Sequence, residues 1–405
     1  MRFSLACRDC GKQAPFRFDR MRCGCGGRMV PVYDLERIGR TLTRENLLRR
    51  PASMWRYEEL LPVHDRKHIV SLGEGWTPLV RLFEGERRLS LGKLWVKREE
   101  QNPTGSFKAR GFSAALSIAM ENGIRKVAVN SNGNAASALA AYAAYAGMEA
   151  YVFLPKDCPG GIVRECISYG AHTCLVDGLI HHAGAIIKEG TAEQGWLHVG
   201  TLEEHGRTEG KKTMGLELAE QLGWKFPDVI LYPTGGGSGI IGMWNAFAQL
   251  KELGMVQGDP PRMFSVQETG CHPLVDAMER GGEFKPQEKP VSSNPTGMRV
   301  PNPPDGSLIV SILRESGGGA VAVTEEEIRM AANAMGRFGI SASPEGAASW
   351  AGLLRLLDQG SVRPQDEVVL FNTAHALKYL PWKEEKVVTV KTYADWRRLM
   401  HRPPE

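Results

Sequence analysis

The chain has 405 residues, 42% of them hydrophobic and 24% charged, with a formal net charge of +4. That length supports two domains with their own cores, and the composition is ordinary for a globular protein. The mild charge, with no basic run interleaved with aromatics, speaks against nucleic acid; no stretch of about eighteen apolar residues suggests a membrane span; and the opening Met1-Arg2-Phe3-Ser4-Leu5-Ala6-Cys7 lacks a secretory signal, so a cytoplasmic location is expected.

Cys7, Cys10, Cys23 and Cys25 fall in the first 25 residues as C-x2-C-x12-C-x-C, among Gly11, Gly24, Gly26 and Gly27. Glycines beside paired cysteines permit the tight turns of a zinc ribbon, and four thiolates make a closed structural metal site. The second pair is one residue tighter than the usual spacing, and a metal-free hairpin packed on the body is the alternative. Residues 1–35 form this module. Cys158, Cys166, Cys174 and Cys271 are scattered and read as reduced thiols. Tyr33 to Lys67 is charged and helix-like, with Arg49-Arg50 reading as a solvated face or linker.

From Leu94 onward short apolar runs alternate with helical patterns. The strands expected are Leu94–Lys97, Lys126–Asn130, Ala150–Leu154, His172–Val176, Val229–Tyr232, Met263–Gln267 and Val368–Asn372. Between them lie helices at Ser106–Glu121, Ala135–Ala146, Gly210–Leu222 and Glu325–Arg337. This order argues for an α/β protein with parallel sheets covered on both faces. Gly281–Pro304 reads as a loop or lid, and its Asn294-Pro295-Thr296-Gly297 repeats the letters of 102–105 without a following Ser-Phe-Lys.

Three segments carry chemistry, each beginning where a strand ends. The first is Asn102-Pro103-Thr104-Gly105-Ser106-Phe107-Lys108. It sets a lysine just inside a helix start, where positive charge is disfavoured and the amine is easier to deprotonate. A neutral amine attacks an aldehyde, and capture of pyridoxal phosphate is the main chemistry that wants such a lysine. The second is Val129-Asn130-Ser131-Asn132-Gly133-Asn134. Its compact polar groups suit a carboxylate or a phenolic oxygen, although N-capping needs one of them in any case. The third is Thr234-Gly235-Gly236-Gly237-Ser238-Gly239 after an apolar strand. Such a loop offers backbone N–H groups and a helix N-terminus to a phosphate. It has neither the Gly-Lys-Ser/Thr of a Walker loop nor a dinucleotide fold's acidic residue.

With Gly73-Glu74-Gly75-Trp76-Thr77-Pro78-Leu79, Arg207-Thr208-Glu209-Gly210-Lys211-Lys212-Thr213 and Phe371-Asn372-Thr373-Ala374-His375, these segments resemble fold-type II pyridoxal phosphate enzymes over nearly the whole chain. Within them the chain is most similar to the threonine synthase family. The resemblance implies two open doubly wound parallel-sheet domains, a large one over 36–114 and 201–405 and a small one over 115–200. It implies Lys108 as the covalent anchor and α-proton base, Asn134 at the pyridine 3′-oxygen, Gly235, Gly236, Gly237, Ser238 and Gly239 on the cofactor phosphate, and Thr373 at the pyridine nitrogen. Thr104, Ser131, Asn132 and Gly133 would hold an amino-acid substrate, and Arg207, Lys211 and Lys212 are the candidates for a substrate phosphate. A charged helix start, with Glu209 as partner, is the other account of those three. The expected reaction is replacement of the phosphate of O-phosphohomoserine by water, in a homodimer. A β-replacement synthase, a hydroxy-amino-acid dehydratase and a non-catalytic protein that kept the fold are the alternatives.

The chain departs from that family at Ala109, at Lys156-Asp157-Cys158-Pro159, at Glu203-Glu204-His205-Gly206, and at Thr373-Ala374-His375-Ala376. All four fall where the substrate side chain or its phosphate would lie. His375 is either an extra acid near the departing group or a packed loop residue.

Overall fold

The computed structural model describes residues 2–379 apart from 179, 292–294 and 296, together with 390 and 392. The repeated turn letters at 294 and 296 therefore lie outside the described residues.

Three sheets organise the chain. The N-terminal module is an antiparallel sheet in the order β2-β1-β3, from β1 (Phe3–Cys7), β2 (Gln13–Ala14) and β3 (Met29–Tyr33). The chain then lays down β4 (Leu79–Arg81) and β5 (Lys93–Arg98). It next builds a four-stranded parallel sheet from β6 (Lys126–Asn130), β7 (Glu149–Pro155), β8 (His172–Val176) and β9 (Leu197–His198), in the order β8-β7-β6-β9. Finally β10 (Val229–Pro233), β11 (Arg262–Glu268), β12 (Gly319–Val323) and β13 (Glu367–Asn372) join the earlier pair in a six-stranded sheet ordered β12-β11-β10-β13-β5-β4. Only the edge strand β4 runs antiparallel there.

Strands covered on both faces need apolar residues at every position. In β10, Val229 and Leu231 join one core while Ile230 and Tyr232 join another. In β13, Val368 and Leu370 divide from Val369 and Phe371 in the same way. Helix Pro344–Asp358 supplies the first core, and helices Ser238–Glu252 and Gly306–Glu315 supply the second. The alanine-rich helix Asn134–Ala146 packs over β6 and β7 with helix Lys108–Glu121.

All seven expected strands and all four expected helices form, with ends shifted by up to four residues. Of the arginine pair expected on a solvated face, Arg49 is exposed and Arg50 is not, and further along the stretch the chain packs inward. Met54, Trp55, Arg56, Tyr57 and Leu60 are buried. Arg56 pairs with Glu220 at 2.7 Å, and Tyr57 donates to the same carboxylate. The apolar residues were masked in sequence by the charges around them, and those charges turn out to have partners: Arg50 reaches Glu59 at 2.5 Å.

Candidate active site

The loops that follow β5, β6, β9, β10 and β13 meet at the carboxyl ends of both sheets, where ligands enter open α/β folds. They enclose a cavity of about 330 Å³.

Lys108 stands on its wall as the first residue of helix Lys108–Glu121. The turn before it is tight: Thr104 has φ 61° and Gly105 φ 64°, and Gly105 N donates to Asn102 O at 2.9 Å. Phe107 N donates to Thr373 O at 3.0 Å, which ties the lysine loop to the end of β13. Burial, reinforced by the nearby Arg207 charge, pulls the Lys108 amine down to about 7.

Gly235 to Gly239 line the same cavity, between β10 and helix Ser238–Glu252. Gly237 has φ 72°, and a Cβ there would collide with Ile309 Cδ1. A Cβ at Gly235 would meet Gly297 O at 2.5 Å. The loop therefore presents bare backbone toward the cavity, as a phosphate cradle requires.

The buried Lys211 lies behind this loop, its Nζ 2.6 Å from Ser238 Oγ. Burial holds it well below its ordinary range, and Lys108 and Arg207 push it the same way. Arg207 lines the cavity, gives one hydrogen bond to Val199 O at 3.0 Å, and leaves Nε without a partner. Burial lowers it to about 10. Three cations thus crowd one site. The buried Glu204 beside them is itself raised to about 7 by burial, and spends its oxygens on Gly206 N and Arg207 N. Glu345 lines the same cavity, and three cations still leave the cluster short of negative charge. A phosphate group on the glycine loop supplies that charge, so the residues present fit pyridoxal phosphate.

Asn134 also faces the cavity; its amide donates to Tyr379 OH at 2.5 Å and its Oδ1 has no partner. Ser131, Asn132 and Gly133 line the wall beside it. The Ser131 hydroxyl accepts from Gly133 N at 3.0 Å and Ala136 N at 3.3 Å, so it does cap the turn. Thr373 lines the cavity too.

Three expected residues stand elsewhere. Thr104 is outside the lining, and its carbonyl accepts from Lys378 Nζ at 2.7 Å. Lys212 turns away from the cavity, pairing with Glu209 at 2.5 Å and lying 3.9 Å from the Tyr33 ring centroid. The charged-helix account therefore fits Lys212 and not Lys211. His375 is a packed loop residue: its Nδ1 lies 3.3 Å from Ser341 Oγ and accepts from Leu377 N at 3.2 Å.

Sequence reasoning missed Glu345, Tyr379, Thr201 and His198, all on the cavity wall. Glu345 Oε1 accepts from Gly297 N at 3.0 Å while its Oε2 has no partner. Burial and the Glu345 charge hold the Tyr379 phenol well above its ordinary range. His198 Nε2 lies 2.9 Å from Asn130 Oδ1, and burial lowers it. No local motif marks any of the four.

Residues 70–374 match the family model described as pyridoxal-phosphate dependent enzyme. The chain is 35% identical over 375 residues to a threonine synthase of Methanocaldococcus jannaschii, covering 92% of each chain. It is 35% identical over 382 residues to a threonine synthase of Methanosarcina acetivorans, covering 93% of this chain and 92% of that one. Among solved structures it resembles a T.th. threonine deaminase, with a TM-score of 0.62 and 26% identity over 75% of this chain and 94% of that one. A pyridoxal 5′-phosphate-dependent aspartate racemase gives a TM-score of 0.66 at 20% identity, over 76% and 93% of the two chains, a likeness of fold alone.

Proposed function

The chain belongs to the pyridoxal-phosphate dependent enzyme family, of fold type II and threonine synthase-like, and from that premise we propose that it converts O-phosphohomoserine and water to threonine and phosphate. The observation that carries the proposal is a lysine amine held near neutrality, sharing a cation-rich cavity with a glycine cradle.

Pyridoxal phosphate, when bound, supplies an electron sink for the negative charge left at the substrate α-carbon. Lys108 Nζ is the atom that holds it and, once released, the base that takes the α-proton. Gly235 to Gly239, with Ser238 backed by Lys211, would hold its phosphate. Asn134 and Tyr379 would take its phenolic oxygen, and Thr373 would serve its ring nitrogen. A hydroxyl there, unlike a carboxylate, does not enforce a proton on that nitrogen, which favours loss of a leaving group over transamination. The polar turn Ser131 to Asn134 would receive the substrate carboxylate. Arg207, with Nε free and His198 near, is the remaining cation for the substrate phosphate; Lys211 is committed to Ser238. A structural zinc on Cys7, Cys10, Cys23 and Cys25 and a homodimer belong to the same proposal, outside the chemistry.

The test is an absorption spectrum of the purified protein followed by titration with O-phosphohomoserine. The proposal expects a visible cofactor band, absent in Lys108→Ala, that shifts with substrate while phosphate is released. A band indifferent to that substrate, with ammonia released from serine or threonine, makes the chain a dehydratase. Turnover of another activated amino acid with an added nucleophile makes it a β-replacement synthase.

A further inference from the structure

The N-terminal module takes no part in that chemistry, yet it touches both lips of the cavity. Its four thiol sulfurs lie within 4.8 Å of one another. Cys7 Sγ is 3.5 Å from Cys25 Sγ, and Cys10 Sγ is 3.8 Å from Cys23 Sγ. A disulfide would need about 2.05 Å. A tetrahedral zinc with bonds of about 2.3 Å spaces its sulfurs at about 3.8 Å. The module's apolar cluster is Leu5, Cys7 and Met29, edged by Ala14, Phe16 and Cys23. Two of the four thiols are thus part of that cluster, and so small a core needs a staple.

Two arginines on the knuckles reach outward. Arg8 follows Cys7, and Arg28 follows the Cys23–Gly27 turn; Arg8 N donates to Arg28 O at 2.9 Å. Both guanidinium groups meet Asp305, at 2.9 Å from Arg8 and 3.1 Å from Arg28. Asp305 is the N-cap of helix Gly306–Glu315, but its carboxylate makes no cap hydrogen bond. An aspartate at that position ordinarily caps; this one is diverted to the module. Asn302 and Pro304 just before it line the cavity, and Ile309 just after it packs under Gly237.

Arg28 also donates to Leu202 O at 2.6 Å. Leu202 has φ 62°, a strained conformation for a branched side chain, and it lies between the cavity residues Thr201 and Glu203. Such strain persists only where the surroundings hold it. His205 completes the contact, its Nε2 3.2 Å from Arg20 O.

We propose that Cys7, Cys10, Cys23 and Cys25 bind zinc, and that the zinc-loaded module clamps the two cavity lips, 200–207 and 301–309, through Arg8 and Arg28. Binding exchanges four thiol protons, released to solvent, for four zinc–sulfur bonds, with no change of oxidation state. The resulting centre carries two negative charges, which Arg8 and Arg28 beside it offset. The clamp does not depend on which leaving group the cavity accepts.

The test uses the full-length protein. Elemental analysis finds one zinc per chain, lost in the double variant Cys10→Ser/Cys25→Ser. Hydrogen exchange then rises about fivefold at 200–207 and 301–309, since each lost hydrogen bond is worth about 1 kcal/mol, and stays unchanged in β10 and β13. Asp305→Asn keeps the zinc and speeds exchange at 301–309. Where the double variant does not fold, stripping zinc from the folded protein with a chelator reads the same quantities. Absence of zinc, or zinc loss that leaves both lips unchanged, overturns the clamp. The cofactor band, recorded alongside, reports on the reaction assignment separately.

Discussion

Lys108 and Arg110 are two residues apart on one helix and live in opposite electrostatic worlds. Arg110 is fully buried and forks onto Glu99 at 2.7 Å and Glu217 at 2.5 Å. Lys97 joins the same network, 3.1 Å from Glu217. Paired carboxylates hold the Arg110 charge firmly in place, well above its ordinary range against the cost of burial. At Lys108 burial, reinforced by the Arg207 charge, pushes the amine toward neutrality. A closed network fixes structure, whereas an unbalanced one waits for a ligand. The two sites differ in the supply of carboxylates, and also in that Arg110 is fully buried while Lys108 stands half-buried on the cavity wall.

The comparison can be broken at several points. Lys108→Ala should remove both anchor and base, lowering threonine formation by at least about 10³-fold while the unfolding midpoint barely moves; retained turnover in a phosphate-release assay would refute the assignment of Lys108. Glu217→Gln should do the reverse, leaving Arg110 and Lys97 short of a buried counter-charge and costing about 3–5 kcal/mol in urea unfolding. A stability loss under about 1 kcal/mol there would mean that the network is already hydrated. Lys211→Met should weaken retention of the cofactor about 10- to 100-fold, read by equilibrium dialysis, because a charge-assisted hydrogen bond is worth about 1.5–3 kcal/mol. Unchanged retention would take Lys211 out of the phosphate site.

The next effect is a pH profile. The apoprotein should capture added pyridoxal phosphate at a rate that falls about tenfold per unit below about 7 and is flat above it, because only the neutral Lys108 amine attacks. The sign also bears on stability: the folded amine sheds its proton near 7 while the unfolded one keeps it to about 10.5, so this site favours the folded apoprotein increasingly as pH rises between the two. Arg207→Met should make the smallest change, moving the midpoint of that profile upward by removing a repelling charge. An unmoved midpoint would show that burial, without the Arg207 charge, sets the lysine.

Much of this was legible in the sequence. Strand, turn and helix at Asn102–Lys108, Asn130–Asn134 and Tyr232–Gly239 are local patterns, and a parallel α/β sheet brings the ends of its strands to one side whatever else the chain does. The cavity lysine, the glycine loop beside it and the cysteine cluster could therefore be named without coordinates. Lys211 and Lys212 could not be told apart. Successive helical residues point about 100° from one another, so one lysine reaches Ser238 and the other Glu209, and only the packing of the helix decides which. Glu345 and Tyr379 were hidden for another reason: each is an ordinary residue in its own segment, and becomes part of the site because distant loops converge. Asp305 was not marked in sequence; it stands at a helix N-cap, and its carboxylate pairs with Arg8 and Arg28 of the N-terminal module. Sequence alone marked the backbone turns that line the cavity, since a turn depends on neighbours along the chain. The tertiary structure decided which charges find partners, since that depends on neighbours in space.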